Sequence, residues 1–191
     1  MDGGRIMAVD IFMVIPSGSA NPPMTITADP VADPYYKATF ANAAAVELRQ
    51  FSLAAENPAT IGSATSGAGA GKLMFNELFI EKSVDMLSRS LFTMAAKGAH
   101  FTKLQLYVRR AGTTGSKPYL TYSFGTVFVS KIDWTTSSGD EEPLERVTFV
   151  YGAMALIYSP QKPDGTLGTA VRTGWSVVTN SDASPEILNP V

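Results

Sequence analysis

Cysteine is absent from this 191-residue chain, and histidine occurs once, at position 100. The first absence excludes disulfides, thiol nucleophiles and thiolate-bound zinc. With no second His or Cys beside it, His100 does not make a metal site or a triad. It is read as a helix-exit residue whose ring meets a backbone carbonyl. Charge is also sparse, at 17%, with 15 Lys and Arg against 17 Asp and Glu. The one tight basic cluster, Arg109-Arg110, does not extend into the clustered face that nucleic acid requires, so no nucleic-acid partner is expected. A low-charge surface is one that commonly meets other protein. Long apolar runs are missing too. Ile6–Ile15 is ten residues long and interrupted by Asp10, too short for a membrane span. With Asp2 before it and only Arg5 as a basic residue, it is a poor signal peptide.

What is present is mostly alternation with a period of two, the mark of half-buried strands. The length suits one domain over residues 1–191. Ile6–Ile15 reads as a largely buried strand, stopped by Pro16-Ser17-Gly18-Ser19. Residues 16–44, with Pro22, Pro23, Pro30 and Pro34, read as an atypical inserted loop or a short hairpin around Met24–Thr27. Val46–Leu53 predicts a second strand, and residues 54–72 an extended loop of small and polar residues. Lys72–Lys82 predicts a third strand. The helix signal is confined to one segment: Ser88 is placed as its N-cap, Gly98 as its left-handed C-terminal residue. Leu91 with Ala95 and Phe92 with Ala96 form its i,i+4 pairs. Strands follow at Phe101–Arg110, Tyr119–Trp134, Leu144–Tyr158 and Arg172–Thr179, with an acidic turn at Gly139-Asp140-Glu141-Glu142-Pro143. The expected class is mainly β: a small barrel of two packed antiparallel sheets with one short flanking α-helix.

Candidate chemistry is thin. The run Ser66-Gly67-Ala68-Gly69-Ala70-Gly71-Lys72 invites comparison with a phosphate-binding loop. It has Ser66 where the first glycine belongs and Leu73 where the hydroxyl belongs, and it leads into a strand pattern rather than a helix. Glu77 and Glu81 fall on one strand face, and Asp140-Glu141-Glu142 cluster in a turn. Both are read as solvated surface charge rather than paired catalytic carboxylates. No catalytic residue, cofactor or metal is assigned, and the chain is not read as an enzyme.

A collinear series of segments resembles one family. Ala8-Val9-Asp10-Ile11-Phe12 resembles its first strand and Glu47-Leu48-Arg49-Gln50-Phe51-Ser52-Leu53 its second. Asn57-Pro58-Ala59-Thr60-Ile61-Gly62-Ser63-Ala64-Thr65 through Gly67–Lys72 resembles a loop of one of its branches. It is followed, as in that branch, by Phe75-Asn76-Glu77-Leu78 and Lys82-Ser83-Val84-Asp85. Ser90-Leu91-Phe92, Lys97–Phe101, Leu106–Gly112, Ser137–Asp140, Tyr158–Gln161 and Gly174–Asn180 continue the likeness over about four-fifths of the chain. The family is that of the haemolysin-coregulated proteins, Hcp, of type VI secretion.

The resemblance implies hexameric rings that stack into the inner tube of the secretion machine, with effector proteins carried in the lumen. It implies partners in the contractile sheath, spike and baseplate. It also implies assembly in the cytoplasm followed by export without a signal peptide. A tail-tube subunit of a phage or of a phage-like extracellular contractile injection particle, and an effector-binding ring carrier, are the alternative readings. The ring-stacking loop is assigned to Asn57, Pro58, Thr60, Ile61, Gly62, Ser63, Gly67, Gly69, Gly71 and Lys72. Residues 16–44 depart from the family's short connection. Pro22-Pro23 and Asp33-Pro34-Tyr35-Tyr36 are expected to make a contact peculiar to this chain.

Overall fold

A computed structural model describes residues 9–58, 60–61, 68–69, 71–110, 117–139, 142–162, 164 and 166–189. In chain order, the elements begin with β1 (Val9–Ile15), β2 (Ala20–Asn21), α1 (Pro34–Thr39), β3 (Ala44–Leu48) and β4 (Gln50–Ser52). Next come β5 (Ala55–Glu56), β6 (Thr60–Ile61), β7 (Ala68–Gly69), β8 (Met74–Phe75) and β9 (Leu78–Ser83). Then follow α2 (Met86–Lys97), β10 (His100–Arg110), β11 (Leu120–Thr135) and β12 (Leu144–Tyr158). The chain ends with β13 (Val171–Ser176), β14 (Ser181–Asp182) and α3 (Pro185–Leu188).

The class is mainly β, as the alternation predicts, but the strands pair differently from two separate sheets. Ten of them form one antiparallel sheet in which β3, β1, β10, β11, β12, β13 and β14 are successive neighbours. The long strand β12 divides its other edge between β9, along residues 144–149, and β13, along residues 153–158. Strand β9 in turn pairs with β4. The predicted second strand is broken at Arg49: β3 lies against β1 on one side of the break and β4 against β9 on the other. The Arg49 amide bridges the gap by donating to the Glu81 carbonyl at 2.8 Å. The sheet therefore wraps round on itself through two short ladders rather than one uninterrupted barrel wall.

The first strand reads as continuously apolar because both its faces are covered. Met13 and Ile15 face the main core with Leu78, Ile80, Leu104, Leu106, Phe124, Val147 and Phe149. Phe12 and Val14 face the opposite way, into a second cluster closed by Tyr36 and Phe40. The covering piece comes from the insertion, which is neither a plain loop nor a hairpin at Met24–Thr27. Met24, Ile26 and Ala28 run extended along the main core, and α1 then seats on the outside of β1 and β10. Asp33 caps α1, accepting from the Tyr35 and Tyr36 amides at 2.9 and 3.3 Å, with Pro34 at the first turn.

The predicted helix exists and ends on Gly98 at φ 60°, the left-handed position that glycine favours. Its start lies earlier than Ser88. Asp85 is the N-cap and Ser88 sits three residues in, each side chain meeting the other's backbone amide. Its docked stripe is Leu87, Leu91 and Met94, all fully buried, each contributing roughly 1.5–3 kcal/mol of burial. Phe92 and Ala96 are exposed instead. At the far end, α3 covers β12 through Ile187. Gly125 allows this: a side chain there would stand 2.7 Å from Ile187 Cδ1. No described helix is long and apolar enough to cross a membrane.

Candidate assembly interface

The segment assigned as a stacking loop is a two-stranded arm. β5 pairs with β8 through Ala55↔Phe75 and Glu56↔Met74. Further out, β6 pairs with β7 through Thr60↔Gly69 and Ile61↔Ala68. Between the two ladders the limbs are pinched together. A Cβ on Gly71 would lie 2.8 Å from both Cγ and the carbonyl oxygen of Pro58, closer than a side chain tolerates. At the root, Asn76 Nδ2 donates to Glu56 Oε1 at 2.7 Å, and the Phe75 ring stacks on Tyr151 with centroids 5.1 Å apart. Burial pushes the Tyr151 phenol up to about 12.

Of the ten assigned residues, Asn57, Pro58 and Lys72 are exposed on the arm and Gly71 is half-buried at the pinch. Thr60, Ile61 and Gly69 belong to the outer ladder. Gly62, Ser63 and Gly67 lie outside the described residues. Alternation was too short to reveal the ladders, since each holds two residues per limb.

The other candidates separate. His100 opens β10, and its Nε2 lies 3.4 Å from Asn21 Nδ2 while its ring packs on Phe128 at 4.9 Å. Among the described residues its polar neighbour is that Asn21 side chain rather than the expected backbone carbonyl. Glu81 accepts from Arg146 Nε at 2.8 Å across the β9–β12 ladder. Glu77 precedes β9, exposed, 3.5 Å from Ser130 Oγ. Of the acidic turn, Glu142 is exposed and 4.0 Å from Arg49; Asp140 and Glu141 lie outside the described residues. Gly71-Lys72 lead into β8, not a helix. Among the described residues no three acidic or imidazole side chains converge on a possible metal position.

Two buried ionic groups escaped the sequence reading. Lys82 Nζ, fully buried, reaches Asp85 at 2.6 Å, Glu145 at 2.9 Å and Ser88 Oγ at 2.9 Å. Glu145 also accepts from Trp134 Nε1 at 2.8 Å. Arg109 binds Asp33 at 2.6 Å and Asp10 at 3.0 Å, with its guanidinium over the Phe12 and Tyr36 rings at 5.1 and 5.5 Å. Burial lowers the Arg109 pKa, and the hydrogen bonds to Asp33 and Asp10 outweigh it, leaving the group above its ordinary value. Asp33 and Tyr36 are thereby turned inward. They hold the insertion onto the sheet, with Tyr35 half-buried and Pro34 exposed.

The chain resembles known proteins both in sequence and in overall fold. Residues 36–158 match the family model described as type VI secretion system effector, Hcp. The chain belongs to the Hcp family. It is 31% identical over 113 residues to protein hcp1 of Pseudomonas aeruginosa, covering 59% of this chain and 70% of that one. A solved structure described as a type six secretion system protein superposes with a TM-score of 0.76 at 26% identity, covering 92% of this chain and all of the other. Hcp1 from Salmonella typhimurium shares the fold at a TM-score of 0.67 and 21% identity, over 93% of this chain and all of the other. The family match begins inside α1, so the extended half of the insertion lies outside it, and it ends on the last residue of β12.

Proposed function

We propose that this Hcp protein is a structural subunit of the type VI inner tube, forming hexameric rings that stack through the arm. Family membership supports the tube role. The observation that carries the stacking assignment is the arm itself: two limbs joined by two-residue ladders and the Pro58–Gly71 pinch, with Glu56, Asn57, Pro58, Lys72 and Met74 exposed along it. A narrow hairpin of this kind buries little of its own surface, so its outer edges are available to a neighbouring ring. Ordering the arm at that contact costs conformational entropy and keeps each ring-to-ring contact weak until many form together. Sheath, spike and baseplate proteins are the partners on the outside and at the ends, and effector proteins are the cargo within. The subunit assembles in the cytoplasm and is then expelled.

The test replaces Ile61 and Gly62 with glutamate. By negative-stain microscopy and light scattering, six-fold rings with an open centre are expected to persist while stacked tubes vanish. Tubes of normal length would remove the arm from the stacking contact.

A further inference from the structure

One face of the sheet is covered from two sides and left open between them. On one side α1 closes the cluster that holds Phe12, Val14 and Tyr107. On the other, α3 packs through Ile187 with Ala155 and Ile157 of β12. Between the two covers lies a cleft of about 300 Å³, at the small end of the range for ligand sites. Its floor is a single row across four neighbouring strands. Tyr107 stands opposite Thr121, Thr121 opposite Ile157, and Ile157 opposite Arg172. Tyr35 of α1 lines the cleft from the first cover, and Ala170, packed against the second, lines it as well. Tyr35, Ala170 and Arg172 fall outside residues 36–158 that match the family model, so part of this lining comes from beyond the matched span.

Two cations edge the cleft, Lys117 and Arg172, both exposed. Among the described residues neither meets a carboxylate, and the described lining contains none. Arg172 Nη1 donates instead to the neutral Asn189 Oδ1 at 3.0 Å. That bond steadies the guanidinium and leaves N–H groups to fork onto an anion.

The remaining lining sets the body of the ligand. Tyr107 and Ile157 are almost wholly buried, so the floor is ring and aliphatic surface, and Tyr35 adds an aromatic wall. Flat aromatic groups pack well against such surfaces. A sugar does not suit it. The described lining offers tyrosine, threonine and serine hydroxyls but no carboxylate, amide or imidazole to accept from several sugar hydroxyls, and donors left unpaired weaken binding.

We infer that this cleft binds a small aromatic carboxylate, its ring on Tyr107 and Ile157 beside Tyr35 and its charge taken by Lys117 and Arg172. The same chemistry is presented by a free arylcarboxylic acid and by an aromatic residue at the C-terminus of another protein. The assignment does not depend on ring stacking.

The experiment titrates 2-naphthoate into the full-length protein, followed by calorimetry and by saturation-transfer NMR on the ligand. A dissociation constant on the order of 0.1 mM is expected for a ligand of this size. The neutral isostere 2-naphthylmethanol and the anionic sugar glucuronate should each bind at least about tenfold more weakly. K117Q/R172Q should weaken naphthoate by a similar factor, whereas Lys97→Gln, which removes a charge on α2, should not. Thermal unfolding and light scattering show that the variants keep their fold and assembly. N-acetylphenylalanine and its amide decide the source. The acid binding as well as naphthoate while the amide does not supports a protein C-terminus; naphthoate binding without either supports a free acid. Naphthoate binding that is absent from the wild type, unchanged in K117Q/R172Q, or equalled by the alcohol or by glucuronate would overturn the assignment.

Discussion

Asp33 ties the insertion to the sheet by serving two masters at once: it caps α1 and it accepts the Arg109 guanidinium at 2.6 Å. Both side chains are more than nine-tenths buried, so the pair cannot fall back on water when one partner is lost. Arg109 in turn neutralises Asp10, its directly opposite neighbour on β1. The stacked rings of Phe12 and Tyr36, 3.9 Å between centroids, complete the seat.

Removing one member should therefore cost more than the pair's net worth. Asp33→Ala is expected to destabilise the fold by about 3–5 kcal/mol, combining an uncompensated buried charge with a lost cap. Arg109→Met should do comparable damage by stranding two carboxylates. Urea titrations of both single variants and of the double measure it. A double variant no worse than either single would show the coupling, whereas additive losses would mean that the two side chains act independently.

The second ionic group invites a sharper contrast. Lys82 and Glu145 are both fully buried, and Ser88 and Trp134 satisfy their remaining hydrogen bonds. The group joins β9, β12 and the first turn of α2, positions far apart in the chain. Lys82→Met alone should cost about 3–5 kcal/mol because it leaves Glu145 charged and unpaired. Lys82→Met with Glu145→Leu should recover most of that loss. Thermal unfolding of the two variants decides it: equal melting temperatures would mean that the carboxylate is not what suffers when the lysine goes.

The parts of the fold that were legible in the sequence are those set by local rules. Val147, Phe149 and Tyr151 alternate along β12 with more exposed neighbours, and Gly98 marks the end of α2 because few other residues accept its backbone angle. The illegible parts depend on partners distant in sequence. Met24, Ile26 and Ala28 have the spacing of a strand, yet the prolines around them deny a ladder, and their burial comes from the main core. Asp29 looks like a loop residue until its Oδ2 is seen to accept the Met86 amide at 3.0 Å, at the start of α2. That placement also suits the positive end of the helix. Asp85-Met86-Leu87-Ser88 hid the helix start because the reciprocal cap carries serine where glutamate or glutamine is the usual signal. The arm was located by its composition, but its ladders are too short for periodicity to disclose.

Gly71 offers a way to separate the arm's shape from the ring's stability. Its neighbour at the pinch is partly backbone, the Pro58 carbonyl at 2.8 Å, so a side chain there is not accommodated by a simple rotamer change. Gly71→Val should force the limbs apart between the inner and outer ladders. The main core lies elsewhere, so the melting temperature should stay within a few degrees of wild type, as for surface substitutions. Tube formation should nevertheless demand a higher protein concentration, because a splayed arm must be re-closed before it can dock. Sedimentation of tubes against concentration, alongside thermal unfolding of the rings, reads both quantities. A variant that stacks at the wild-type concentration would show that the arm's closed form is not what the neighbouring ring recognises. A variant that unfolds early would show that the pinch supports the ring itself.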